Sequence, residues 1–214
     1  MMDSERKAFA DVTTPGQWDA VCSLARLELL ETFSSHGACS IAELAHWLDR
    51  PADGLYHHVR KLVRAGLVRE VDVRKVGRHR ESVFDMVADE LRFDVDPEQG
   101  RNMDRLEQIA RAHLKRAERL LASAAAARAV RLARPGKNTH VRGDEAWLSD
   151  EELERVNEIV DELRSVFAGA KRRRTGNLHA FTLVISPVVR ERGASARPTS
   201  RQQQMDMEQK ETGA

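Results

Sequence analysis

Apolar residues recur along most of this chain at steps of three and four, and at steps of two over one short interval. From about Gln17 to Phe33, Val21, Leu24, Ala25, Leu27, Leu29 and Leu30 trace a wide apolar arc, which predicts a helix ended by Ser34-Ser35-His36-Gly37. Ser40 followed by Glu43 is a capping box that opens a short helix carrying Leu44, Ala45 and Leu48. Asp49-Arg50-Pro51 interrupts it. A second helix then runs to about Arg64, with Leu55, Val59, Leu62 and Val63 on the face toward a core. Its other face presents Ala52, Asp53, Tyr56, His57, Arg60, Lys61 and Arg64. Beyond Gly66, Val68 to Val73 and Ser82 to Val87 read as strands, and Arg74 to Arg80 around Gly77 form a long basic tip between them.

The second half returns to helical spacing. Asp96-Pro97-Glu98 signals a helix start. Met103, Leu106, Ala110, His113, Ala117, Leu120, Ala124 and Ala127 then form a heptad seam of mostly small residues, suited to a close helix–helix approach. Pro135-Gly136 ends that segment. A short strand is expected at Thr139 to Arg142. A second capping box, Ser149 to Glu152, starts a helix striped by Leu153, Val156, Val160, Leu163 and Phe167. A basic linker, Lys171 to Asn177, leads to a strand candidate from Leu178 to Ile185, closed by Pro187. Residues 1–14 are polar and expected to fray. From Glu191 onward little can be buried, so disorder is expected.

Composition adds little until charge is read by position. The chain has 214 residues, 41% hydrophobic and 32% charged, with a formal net charge of +1. Between His57 and Arg80, however, eight cations (Arg60, Lys61, Arg64, Arg69, Arg74, Lys75, Arg78, Arg80) face two anions, Glu70 and Asp72. Concentration on one element is the electrostatic footprint of a nucleic-acid binder. The two cysteines, Cys22 and Cys39, have no metal or redox spacing. The longest apolar run, near Ala180 to Val189, is too short to span a bilayer and is broken by Pro187. No signal-peptide apolar segment is evident, so a cytoplasmic protein without membrane association is expected.

Four segments carry a resemblance. Ala25-Arg26-Leu27-Glu28-Leu29-Leu30, Ile41-Ala42-Glu43-Leu44-Ala45, Tyr56-His57-His58-Val59-Arg60-Lys61-Leu62 and Ala65-Gly66-Leu67-Val68 resemble, in order and spacing, the winged-helix domain of ArsR-type bacterial transcription regulators. Gly77-Arg78 followed by Val83-Phe84 looks like that family's wing. The resemblance covers roughly residues 17–93 and implies a homodimer on a two-fold-related operator, usually as a repressor released by a signal. The paired cysteines and the acidic and histidine ligands of the metal-sensing members are not evident. The long C-terminal half is similar to that of a larger subgroup.

The fold expected is therefore mainly α: a winged helix-turn-helix domain (15–95), a long dimerisation helix with a small α+β extension (96–190), and flexible ends (1–14 and 191–214). Tyr56, His57 and Arg60 are candidates for reading bases in a major groove, where edges are distinguishable. Lys61 and Arg64 suit phosphates. Ser40 could contact a phosphate at a helix N-terminus, and Arg74, Lys75, Arg78 and Arg80 form the wing. His58 reads as a packing or hydrogen-bonding residue. Leu106, Ala110, His113, Ala117, Leu120 and Ala124 are the candidate dimer interface. His140 and His179 could approach each other, but two histidines make a weak metal case, and no cofactor is implied. No catalytic constellation emerges: there is no phosphate loop, nucleophile elbow or HExxH. The alternatives are a protein-contact module and a sensor of an unknown small-molecule effector.

Overall fold

The computed structural model describes residues 5–93 and 101–189, with side chains from Met103 onward in the second stretch. The helix-start signal at Asp96-Pro97-Glu98 and the tail from Glu191 lie outside the described residues. Residues 5–182 fall in one compact unit, and 183–189 belong to a second.

The N-terminal segment is a strand rather than a frayed end. β1 (Lys7–Val12) pairs in parallel with β5 (Ala88–Phe93). Within β1 only Val12 is buried, so no alternation marked the strand in sequence. Its anchor is Arg6. The guanidinium bonds both Asp85 carboxylate oxygens, donates to the Phe33 carbonyl at 2.7 Å and reaches Asp89 at 3.4 Å. Burial disfavours the Arg6 charge, yet the bond and attraction to Asp85 outweigh it and raise its pKa.

The expected first helix is two helices. α1 (Pro15–Val21) opens on Thr14, whose hydroxyl accepts from the Gln17 amide while Gln17 Oε1 accepts from the Thr14 amide at 3.0 Å. α2 (Leu24–His36) restarts after an extended Ser23. Arg26 stabilises the break: its Nε donates to the Ala20 carbonyl at 2.7 Å, satisfying an acceptor that the end of α1 leaves open. α2 then runs through the centre of the domain, with Leu27, Leu29, Leu30 and Phe33 buried.

β2 (Cys39–Ser40) leads into α3 (Ile41–Leu48), which ends on a left-handed Asp49 (φ 50°). α4 (Ala52–Arg64) follows, burying Leu55, Val59 and Leu62 against Trp18, Leu29, Phe33 and Leu44. Val63, expected on this face, is 38% exposed at its edge. β3 (Val68–Val76) and β4 (His79–Met86) form an antiparallel hairpin, and β2 extends the sheet in the order β2-β4-β3. The strands continue closer to the tip than expected. The last register pair is Val76 with His79, so the connection is the two residues Gly77-Arg78 rather than a long loop. Gly77 has φ +61° at the position where a type II′ turn takes glycine. A register shift between Glu70 and Asp72 adds twist below the tip.

α5 (Arg101–Ala126) crosses α2 and buries Ile109 and Ala112 in the same core. α6 (Asp150–Arg173) starts at the predicted capping box, with the Glu152 amide donating to the Ser149 hydroxyl at 3.2 Å. Lys171, Arg172 and Arg173 belong to its last turn, not to a linker. The stretches 139–142 and 178–185 have no regular secondary structure and join no sheet among the described residues. In the first, Asn138 takes over the backbone: its side chain accepts from the Arg131 amide at 2.8 Å and donates to the Ala129 carbonyl at 2.9 Å, closing a loop. The second leaves Leu178 73% exposed. In the other unit, residues 183–189 have no regular secondary structure.

Candidate nucleic-acid interface

The helix-turn-helix is built from α3 and α4, and its internal bonds decide which polar groups remain free. Ser40 is 2% exposed: its amide donates to Glu43 Oε2 at 2.7 Å and its hydroxyl accepts from the Glu43 amide at 3.3 Å. Burial in β2 and this double use set Ser40 back from the outer face. Glu43 also ties the hairpin to α3, because Arg74 Nη1 lies 3.3 Å from its Oε1. Arg74 is thereby partly neutralised and positions the wing. An open cleft of about 410 Å³ between α3 and the hairpin contains both Glu43 and Glu81, which marks the edge of the basic surface.

The outer face of α4 is different. Tyr56 is 47% exposed, and His57, Arg60, Lys61 and Arg64 are all exposed. Among the described residues none of these four cationic or imidazole groups forms an ion pair or a side-chain hydrogen bond. Sequence and helix geometry explain the segregation: Leu55, Val59 and Leu62 occupy one side, and Tyr56, His57, Arg60 and Arg64 fall on the other. Asp53 in the first turn and Lys61 and Arg64 in the last each complement the helix dipole.

His58 does not belong to that face. Its Nδ1 is buried without a hydrogen-bond partner among the described residues. Burial, followed by the nearby charges of Arg26, His57, Lys61 and Arg50, lowers its pKa and favours the neutral ring. The ring meets His57 edge-on, with centroids 5.7 Å apart.

At the wing, Lys75, Arg78 and Arg80 are exposed. Lys75 and Arg80 stand directly opposite each other in the β3–β4 register. Two like charges in a cross-strand pair destabilise a hairpin. This pairing was invisible while the tip was read as a loop. Arg69 is not available to a ligand in the same way, since it donates to the Glu5 carbonyl at 2.7 Å.

The family of helix-turn-helix domains matches residues 25–71, the span from α2 into β3. The chain carries a helix-turn-helix domain. Such a domain indicates a DNA-binding regulator. No curated protein matches the chain. No helix among the described residues is long and apolar enough to cross a membrane.

The candidate dimer residues lie on α5 beside its buried line. Leu106 is 38% and Leu120 42% exposed, whereas Ala110, His113, Ala117 and Ala124 are half-buried. Ile109 and Ala112, which the seam omitted, make the core contact. His113 has its pKa lowered, mainly by burial, with Glu31 opposing and Arg116 reinforcing the shift. Sequence reading also missed a junction at Glu28. This carboxylate, 11% exposed, pairs with Arg50 from the turn before α4 (2.6 Å) and with Arg119 from α5. His140 and His179 do not join a group of three or more metal-ligating side chains among the described residues.

Proposed function

We propose that the protein is a sequence-specific transcription regulator of the ArsR-like kind, acting in the cytoplasm as a homodimer on a near-palindromic operator. The observation that carries this reading is the outer face of α4: an exposed tyrosine, an imidazole and three cations, the cations without an ion pair or side-chain hydrogen bond among the described residues. α4 enters a major groove. Arg60, central on the helix, takes a guanine edge in two places, while Lys61 and Arg64 meet phosphates. Lys75, Arg78 and Arg80 approach the adjacent minor groove or backbone, and the polyanion relieves the repulsion between Lys75 and Arg80. Two copies paired along the α5 seam set their α4 helices about one DNA turn apart, on half-sites about 10 base pairs from centre to centre. Repression, with release by an effector, is the regulatory sense we assign.

Selection of bound duplexes from a random pool, followed by binding measurements on single-base variants, tests the reading. Arg60→Ala relaxes preference at one base pair of each half-site by about 1–3 kcal/mol, whereas Lys61→Ala weakens all sequences alike. A pool that enriches no dyad sequence, or sequence-blind losses from both variants, defeats it. The exposed apolar side chains of residues 147–181 favour a second role, a protein-contact surface in the C-terminal half of that unit.

A further inference from the structure

α6 is a helix of 24 residues that buries none of its side chains. Among the described residues its side chains reach the rest of its unit through Arg164 to Glu90 (2.9 Å), Phe167 to Phe181 and Lys171 to Ser34 (2.8 Å). Beside these contacts runs an apolar row of half-buried Val156 and exposed Ile159, Leu163 and Val166, at steps of three, four and three. Ile159 is 51% and Val166 65% exposed. The helix is also polar from end to end in charge: Asp150, Glu151 and Glu152 fill its first turn, and Lys171, Arg172 and Arg173 its last. This arrangement complements the helix dipole, and it also selects the direction in which two such helices can pair.

We infer that α6 pairs antiparallel with α6 of a second copy. This rests on the homodimer reading above and names a contact that reading does not use. About a two-fold axis at Asp161 the apolar row maps onto itself, setting Val156 against Val166 of the partner copy and Ile159 against its Leu163. The same rotation brings Asp150 level with Arg172 of the partner copy and Glu151 level with its Lys171. A parallel pair would instead stack acid on acid and base on base, which costs free energy at both ends. α5 has no comparable polarity, since its last turn holds no basic residue.

Area sets the strength of the contact. A helix of this length is about 36 Å long and 10–12 Å across, so pairing covers roughly 400 Å² of each copy, about half of the ~800 Å² in a standard interface. Trp147 and Leu178 supply part of the remainder. They lie just beyond opposite ends of α6 and are 96% and 73% exposed; an antiparallel pair brings each beside the other's counterpart. Self-association through α6 is therefore moderate and concentration-dependent.

The test is cysteine cross-linking of the full chain, with Cys22→Ser to remove the half-buried native thiol and Cys39 left in place because it is buried. Val156→Cys and Val166→Cys are ten residues apart on one helix, about 15 Å, beyond the ~7 Å Cα separation that a disulfide can close. Mild oxidation of the double variant is expected to give a covalent dimer, and each single variant little or none. Ile159→Arg is expected to raise the dimer dissociation constant at least tenfold by sedimentation equilibrium, with an unchanged far-ultraviolet circular dichroism spectrum. Single variants that cross-link as well as the double, or an Ile159→Arg chain that still dimerises normally, would overturn the α6 pairing and leave the homodimer reading standing. A chain that stays monomeric throughout overturns both, while its binding to selected duplexes still decides the DNA reading.

Discussion

Glu28 ties three parts of the unit together through one carboxylate. It belongs to α2, Arg50 precedes the reading helix, and Arg119 comes from α5, so its loss is felt in two directions. Both guanidiniums are partly solvated, which screens the attraction. Glu28→Gln is expected to cost about 1–2 kcal/mol by denaturant titration, and Arg119→Gln to weaken DNA binding although it is far from the reading face. His113 gives a pH dependence. Its folded pKa lies below the unfolded value of about 6.5, so the unfolded chain binds the proton more readily. Stability is fully present above that value and is lost as pH falls toward the folded pKa. His113→Gln should flatten the decline in melting temperature as pH falls below about 6.5; an unaltered slope would assign the decline to other groups.

At the scale of elements, the wing ends in a two-residue turn and is tied to α3 below its tip. Gly77 sits at φ +61°, where a Cβ is strained, and Arg74 holds the hairpin to α3 through Glu43. Gly77→Ala is expected to cost about 1–2 kcal/mol of local strain and to weaken protection of the flanking DNA in footprinting more than protection of the central base pairs. The helix-turn-helix was legible in the sequence because its signals are local: the Ser40–Glu43 box, the Pro51 break and the apolar spacing of Leu55, Val59 and Leu62. The exposed basic face of α4 followed from the same periodicity. What escaped depends on partners distant in the chain. Nothing near Arg6 announces Asp85, and nothing in Lys7–Val12 announces β5. The spacing to Glu43 marked Ser40 as a cap, but its burial in β2 depends on pairing with Val83, distant in the chain. The strands expected at 139–142 and 178–185 had suitable residues but found no ladder.

The whole molecule separates its charges, and this gives a measurement independent of any single residue. A net charge near zero coexists with a reading face whose free cations are Arg60, Lys61, Arg64, Lys75, Arg78 and Arg80. If about three of these meet phosphates in each copy, a dimer neutralises about six, and the logarithm of affinity falls against the logarithm of salt with a slope near −5. A slope near zero would point to a protein ligand for this face. One further consequence follows from the parallel pairing of β1 with β5, which lie some eighty residues apart. During synthesis the first strand leaves the ribosome long before its partner exists, so Arg6 and Val12 wait while the helices and the hairpin form around them. β1 is thus made well before it can be placed, and a chain stopped before residue 88 should hold α4 but leave Lys7–Val12 open to proteolysis.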